Sequence, residues 1–320
     1  MATKIVFLDR ETFPADIKLK SISHQNEIIS YDHTSPEQVV ERIADADIVI
    51  TNKVKITQDI LKQARKLRFI AVAATGTDVI DLFACKEKGI PVSNIRNYAI
   101  NTVPEHTFAL ILALRRSIIA YHESVRAGRW QEANQFCYFD YPIKNLANST
   151  LGLIGDGVLG KAVAEVAKAF GMKVLFSAYK GVPNMGPLYT PFEDVLKHSD
   201  IISIHCPLTD STRNMIDEAE FNQMKSTALL INTARGGIVN EEALCDALIN
   251  KVIAGAAFDV TKNEPPKPDD VIMKLTNLSN FILTPHISWA SFEAIQSLAD
   301  MLMDNIEAFL SGTPQNVVNP

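Results

Sequence analysis

Between Thr150 and Val174 the chain reads TLGLIGDGVLGKAVAEVAKAFGMKV. An apolar strand runs into Gly155-Asp156-Gly157-Val158-Leu159-Gly160, and a helix follows. The spacing gives that helix an apolar face of Val158, Ala162, Val163, Val166 and Phe170, with Gly171 as its C′ residue. Glycines so placed admit few backbones. Gly155 allows a tight turn, Gly157 lets a pyrophosphate approach the main chain, and Gly160 lets helix pack on strand. The helix N-terminus offers free N–H groups and a positive dipole end to phosphates. Glycine turns are common, so the motif alone is weak; between this strand and this helix it points to dinucleotide binding. Asp156 is the discordant member, because an anion beside a pyrophosphate is unfavourable unless its side chain points away.

The same alternation runs through the chain. Strand candidates are KIVFLD, ADIVIT, RFIAVA, TLGLIG, KVLFSA, DIISIH, ALLINT, IAGAAF and FILTPH. Amphipathic segments such as PEQVVERIADA, EHTFALILALRRSIIAYHESVRAG and NEEALCDALINK lie between them. Strand and helix in turn imply right-handed βαβ units and an α/β fold with doubly wound parallel sheets. A chain of 320 residues is long for one core. The glycine turn starts only near residue 151, after a separate α/β pattern. We therefore expect residues 1–100 to form one domain, completed by the C-terminal helix at 288–320, and residues 101–287 to form the dinucleotide domain.

With 47% hydrophobic and 21% charged residues the composition is that of a globular protein. A net charge of −6 without a basic tract argues against nucleic acid as a partner. No signal-peptide core or membrane-length apolar run is present, and Cys85, Cys137, Cys206 and Cys245 form no CxxC, so reduced thiols in the cytoplasm and no metal site are expected.

Several blocks, in order and in register, resemble the D-isomer-specific 2-hydroxyacid dehydrogenases, most closely their glycerate dehydrogenase (hydroxypyruvate reductase) branch. They are TGTDVIDLFACKEKGIPVSN, NTVPEHTFALILALRR, GLIGDGVLG, HCPLTDSTRNMI, INTARGGIVNEEAL, AAFDVTKNEPP and TPHISWAS. The resemblance implies a flavodoxin-like substrate domain, a Rossmann domain, and hydride transfer between NAD or NADP and a small D-2-hydroxy acid. In TARGG, Arg235 matches the family's substrate arginine, whose planar fork can grip a carboxylate and polarise the adjacent carbonyl. In TPHIS, His286 matches the acid/base, a group whose imidazole type titrates near neutral pH. In VTKNEPP, Glu264 matches its carboxylate partner, an anion that favours imidazolium and fixes the ring. Taken singly, such a histidine, glutamate and arginine are ordinary loop or turn residues; matched together near strand ends, they form a catalytic set.

The remaining site residues follow by the same transfer. Thr75 and Gly76, in AATGTD, would bind the substrate carboxylate through backbone N–H groups, or form a plain strand-to-helix turn. Thr102 would meet the cofactor, and Cys206 and Pro207 would flank adenine, or simply pack, with Thr212 nearby. Thr233 and Ala234 would line the nicotinamide, and Asp259 would take its carboxamide N–H. Asn52, Lys53 and Trp289 would shape the substrate pocket. NAD-preferring relatives place an acid where this chain has Ala178; with Ser177, Tyr179 and Lys180 beside it, dual use is expected, NADPH at least as good as NADH. GRWQEANQFCYFDYPIK resembles the family's dimer arm, so a homodimer is expected. An NAD(H)-sensing, corepressor-like binding protein of the same fold is the alternative function.

Overall fold

Every apolar run expected as a strand is one, and each pairs in parallel with its neighbours. The computed structural model describes residues 2–319. They divide into two units, residues 2–99 with 290–319, and Ile100–Trp289.

In the first unit, β1 (Thr3–Phe7), β2 (Asn26–Ser30), β3 (Ile48–Thr51), β4 (Phe69–Val72) and β5 (Val92–Ser93) are ordered β2-β1-β3-β4-β5. This is the flavodoxin-like order. Alternation along the strands sends Val6, Val49, Ile70, Val72 and Val92 into one core cluster with Val39, Ile43, Leu61 and Cys85. The helix Phe292–Leu310 belongs to this unit, with Ser291 capping Ala294 N–H at 3.2 Å. Phe309 stacks on Phe69 with ring centroids 4.3 Å apart, and the buried Asn305 amide donates to Asn94 O at 3.0 Å.

In the second unit, β6 (Thr150–Ile154), β7 (Lys173–Ser177), β8 (Tyr189–Thr190), β9 (Ile201–Ile204), β10 (Leu229–Asn232), β11 (Gly255–Phe258) and β12 (Phe281–Leu283) are ordered β12-β11-β10-β9-β6-β7-β8. Counted within the unit this is the dinucleotide-binding order with one more strand at the edge. Both faces are covered: Ile202, Ile204 and Leu230 point to one cluster, Ile201, Leu229 and Ile231 to the other. The order reverses between β6 and β9, where such sheets bind ligands.

Two local expectations change. The amphipathic segment from Glu105 to Gly128, whose length suits one long helix, is two: Thr102–Arg115 ends and Ile118–Arg126 begins at Ser117, which has φ +50°. The break has partners that a straight helix would forgo: Ser117 Oγ donates to Pro142 O at 2.7 Å, Arg115 Nη2 donates to Asn145 O at 2.8 Å, and Lys144 N–H donates to Arg115 O at 2.9 Å. The buried face of the helix Val158–Ala169 is Gly160, Val163, Ala164 and Ala167. Val158 is 52% exposed and Phe170 stacks on Phe108, so small residues rather than the bulkiest ones meet the sheet.

Candidate active site

The glycine turn lies at the β6/β9 reversal. Gly155 has φ +112°, and a side chain there would overlap the backbone of His205, which follows β9. A side chain at Gly160 would overlap the Gly155 carbonyl, so helix and turn touch through bare backbone. Gly157 is different: nothing lies within 4 Å of where its Cβ would be. Beside it Val158 is exposed and Leu159 is partly exposed. Open space over backbone N–H groups at a helix N-terminus fits a pyrophosphate. Asp156 does not spoil it, because its Oδ2 accepts the Tyr189 hydroxyl at 2.5 Å, a bond that pushes the phenol pKa upward. Its carboxylate is tied to β8.

The end of β7 is less open than its residue types suggest. Ser177 is buried and its hydroxyl donates to Ala178 O at 2.7 Å. Lys180 Nζ lies 2.7 Å from Glu220 Oε1 and donates to Met215 O at 3.0 Å. The cation expected to greet a phosphate is held by an acid of its own chain. No acid stands at Ala178, and the Lys180 charge is paired with Glu220.

On the β9 side, Cys206 packs against the core, and burial pushes its thiol up to about 11, so it is uncharged at neutral pH. Thr212 Oγ1 donates to the carbonyl of exposed Pro207 at 2.7 Å and accepts Thr209 N–H at 2.7 Å, closing that loop. His205, not singled out from the sequence, has its imidazole driven down to about 4 by loss of solvent, and Nε2 lies 2.8 Å from Ser203 Oγ. The residue whose backbone meets the glycine turn therefore carries a neutral ring.

The catalytic candidates come from the ends of β10, β11 and β12. Asn232 closes the first loop at both ends: its amide donates to Arg235 O at 3.0 Å and its Oδ1 accepts Ala234 N–H at 3.1 Å. Arg235 is half-buried, with Nη1 donating to Ala234 O at 2.8 Å. A side chain at Gly236 would overlap the Thr261 carbonyl, so the arginine loop lies directly on the loop that carries Glu264. Glu264 Oε1 accepts Thr261 N–H at 3.1 Å and Oε2 lies 2.7 Å from His286 Nδ1. The carboxylate selects the tautomer with a proton on Nδ1. Both side chains remain partly accessible, 27% for His286 and 37% for Glu264.

His286 itself has φ +55° and is pinned from below. Its N–H donates to Asp259 O at 2.8 Å. The fully buried Asp259 carboxylate accepts Thr284 Oγ1–H at 2.5 Å, Ile287 N–H at 2.9 Å and Ser288 N–H at 2.8 Å. Asp259, expected only as a carboxamide acceptor, thus braces the histidine loop. Thr284 has one hydroxyl hydrogen and gives it to Asp259, so His106 Nε2, 3.1 Å from Thr284 Oγ1, is a donor. Trp289 Nε1 donates to His286 O at 2.9 Å. The helix Thr102–Arg115 is tied to the same loops: Thr102 Oγ1 donates to Ser288 O at 3.1 Å, and Thr107 Oγ1 meets Thr233 Oγ1 at 3.1 Å. Among these, His106, Thr107, Thr284 and Ser288 lie within the quoted blocks but were given no role, because each acts on residues far away in the chain.

In the first unit Thr75 and Gly76 follow β4. Thr75 Oγ1 donates to Ile95 O at 2.7 Å and its carbonyl accepts the Asn94 amide at 2.7 Å. Asn52 and Lys53 follow β3, and the buried Asp9 carboxylate accepts the N–H groups of Asn52, Lys53 and Val54 at 2.6–3.2 Å. Burial raises the Asp9 pKa, and those N–H bonds oppose the rise. Both loops lie at carboxyl ends of adjacent parallel strands, the binding edge of such a sheet.

A glycine turn at a switch point, with an arginine and a His–Glu pair on the neighbouring strand ends, fits a nicotinamide-dependent oxidoreductase. Residues 108–288 match the D-isomer specific 2-hydroxyacid dehydrogenase, NAD binding domain. The chain is 52% identical over 319 residues to the glycerate dehydrogenase of Methylorubrum extorquens, covering 99% of each protein. Among solved structures it is similar to an acyclic imino acid reductase in complex with NADPH and D-Arg, with 31% identity, TM-score 0.84, and 99% and 100% of the two chains covered. It is also similar to the D-lactate dehydrogenase of Aquifex aeolicus complexed with NAD and lactic acid, with 28% identity, TM-score 0.83, and 99% of each chain covered. The chain belongs to the D-isomer-specific 2-hydroxyacid dehydrogenase family.

Proposed function

We propose that this enzyme reduces hydroxypyruvate to D-glycerate, and runs the reverse, with NADH or NADPH. The observation that carries the reading is the His286–Glu264 pair at 2.7 Å, on a loop backed by buried Asp259 and next to the arginine loop. A relative named glycerate dehydrogenase, 52% identical along the whole chain, supports the substrate. Gly155, Gly157, Val158, Leu159 and Gly160 would hold the pyrophosphate, with Ser177, Lys180, Cys206, Pro207 and Thr212 toward the adenosine and Thr102, Thr233, Ala234 and Asp259 toward the nicotinamide. Bound there, the reduced nicotinamide supplies the hydride for C2. Arg235 binds the carboxylate and polarises the C2 carbonyl. For reduction His286 must enter as imidazolium: its Nε2–H gives the proton that turns the developing alkoxide into a hydroxyl, leaving the neutral ring with its Nδ1 proton on Glu264, which keeps the ring aimed. Thr75 and Gly76 keep their proposed carboxylate-binding role, and Asn52, Lys53 and Trp289 their proposed role in substrate choice. A preassembled acid/base pair suits turnover rather than nucleotide sensing.

Initial rates on hydroxypyruvate, glyoxylate, pyruvate and a branched 2-oxo acid test the substrate. Hydroxypyruvate should give the highest kcat/KM; a higher value on the branched acid would overturn the choice.

Among the described residues no helix is long and apolar enough to cross a membrane, and the four cysteines are free thiols, which supports a cytoplasmic setting. The working form is read as a homodimer. Phe136 is 90% and Phe139 81% exposed on an arm stiffened by the Arg129–Asp140 pair at 2.8 Å and by Tyr121 against Tyr138 and Tyr141. A rigid arm showing aromatic rings to solvent suits burial against a second copy. Light scattering should report a dimer, and the double variant Phe136→Asp, Phe139→Asp should report a monomer. An unchanged mass in that variant would remove the arm from the interface.

A further inference from the structure

We infer that Glu220 sets this chain's cofactor preference toward NADH by holding Lys180 away from the place of a 2′-phosphate. The inference rests on the dinucleotide-dependent reading and deepens it. Lys180 follows β7, the strand whose end meets the adenosine ribose in this fold, and a cation there is what accommodates NADP. An ammonium has three donors. One lies 2.7 Å from Glu220 Oε1, and another goes to Met215 O at 3.0 Å. The Phe192 ring lies 5.8 Å from the same nitrogen and covers another side.

Glu220 is built to keep this hold. It is 6% exposed, and its Oε2 accepts Asp217 N–H at 3.0 Å in a reciprocal capping box at the start of the helix Glu218–Phe221. The carboxylate is therefore positioned by its own helix whether or not the lysine is present. Removing Lys180 from it would leave a buried acid without its cation, which is costly. A 2′-phosphate must compete with that carboxylate for the lysine and is itself repelled by it. A ribose 2′-hydroxyl faces neither penalty.

Fluorescence titration of NADH and NADPH onto the full chain tests the inference without relying on turnover. Wild type should bind NADH more tightly. Glu220→Gln keeps an oxygen for Asp217 N–H but drops the charge, and should shift the Kd ratio toward NADPH by about fivefold or more. In the double variant Glu220→Gln, Lys180→Met the shift should vanish. A folded Glu220→Gln protein with an unchanged ratio, or a shift that survives loss of Lys180, overturns the inference. Should Glu220→Gln not fold, Glu220→Met, which also removes the charge at similar side-chain length, decides: its Kd ratio should shift toward NADPH as well, whereas an unchanged ratio in the folded variant overturns the inference. Failure to bind either nucleotide would sink the dinucleotide reading as well; NADH binding with an unmoved ratio sinks only the role of Glu220.

Discussion

Replacing His286 by asparagine should lower kcat on the best 2-oxo acid by about 10²–10⁴-fold, the span that a positioned general acid/base contributes. Cofactor affinity and melting temperature should stay near wild type. The choice of asparagine follows from the backbone. His286 has φ +55°, where an alanine would carry a strain of roughly 1–2 kcal/mol that asparagine largely escapes. The main-chain bonds from Asp259 to residues 286–288 do not involve the imidazole and should survive. What asparagine removes is the ring that Glu264 Oε2 holds at 2.7 Å from Nδ1 and whose Nε2 carries the proposed proton transfer. Loss of turnover with intact binding is then a loss of proton transfer. A variant with near-native kcat would strip His286 of its assigned role.

The sequence carried the local part of this site and hid the long-range part. Gly155, Gly157 and Gly160 could be assigned separate tasks from spacing alone, and the space around each agrees with the task. Strand runs such as DIISIH were readable because both faces of the second sheet are buried, which makes the strands continuously apolar. The edge strand β2 was not: NEIIS is polar and mostly exposed, and β5 and β8, two residues each, leave no period to detect. The pairing of Lys180 was hidden for another reason. Its partner Glu220 is forty positions on and reaches it only through the packing beyond β9, which no periodicity records. Asp9 under Asn52 and Asp259 under Ser288 are similar cases. A lone acid after an apolar strand looks like surface until the loop whose N–H groups it accepts is folded over it.

Replacing Arg235 by lysine should raise KM for the 2-oxo acid and lower kcat together, with kcat/KM down by about 10²–10³-fold, the cost of losing one donor aimed at a developing oxyanion. The charge survives this change, so charge alone is not what the site uses. One guanidinium nitrogen, Nη1, is already engaged with Ala234 O at 2.8 Å, which orients the plane; in the proposed role the rest of the fork takes the substrate. A lysine has no plane to orient, and an ammonium that kept the Ala234 carbonyl could not also span carboxylate and carbonyl. The loop should not move, because Asn232 holds both of its ends and Gly236 lies directly on the Thr261 carbonyl. NADH affinity should therefore stay near wild type, separating the substrate effect from damage to the nucleotide site. The split between KM and kcat is the informative readout: a rise in KM alone would make Arg235 a ground-state anchor for the carboxylate, and a matched fall in kcat would show that it also polarises the carbonyl in the transition state. Wild-type values of both would leave it a turn residue with no part in the chemistry.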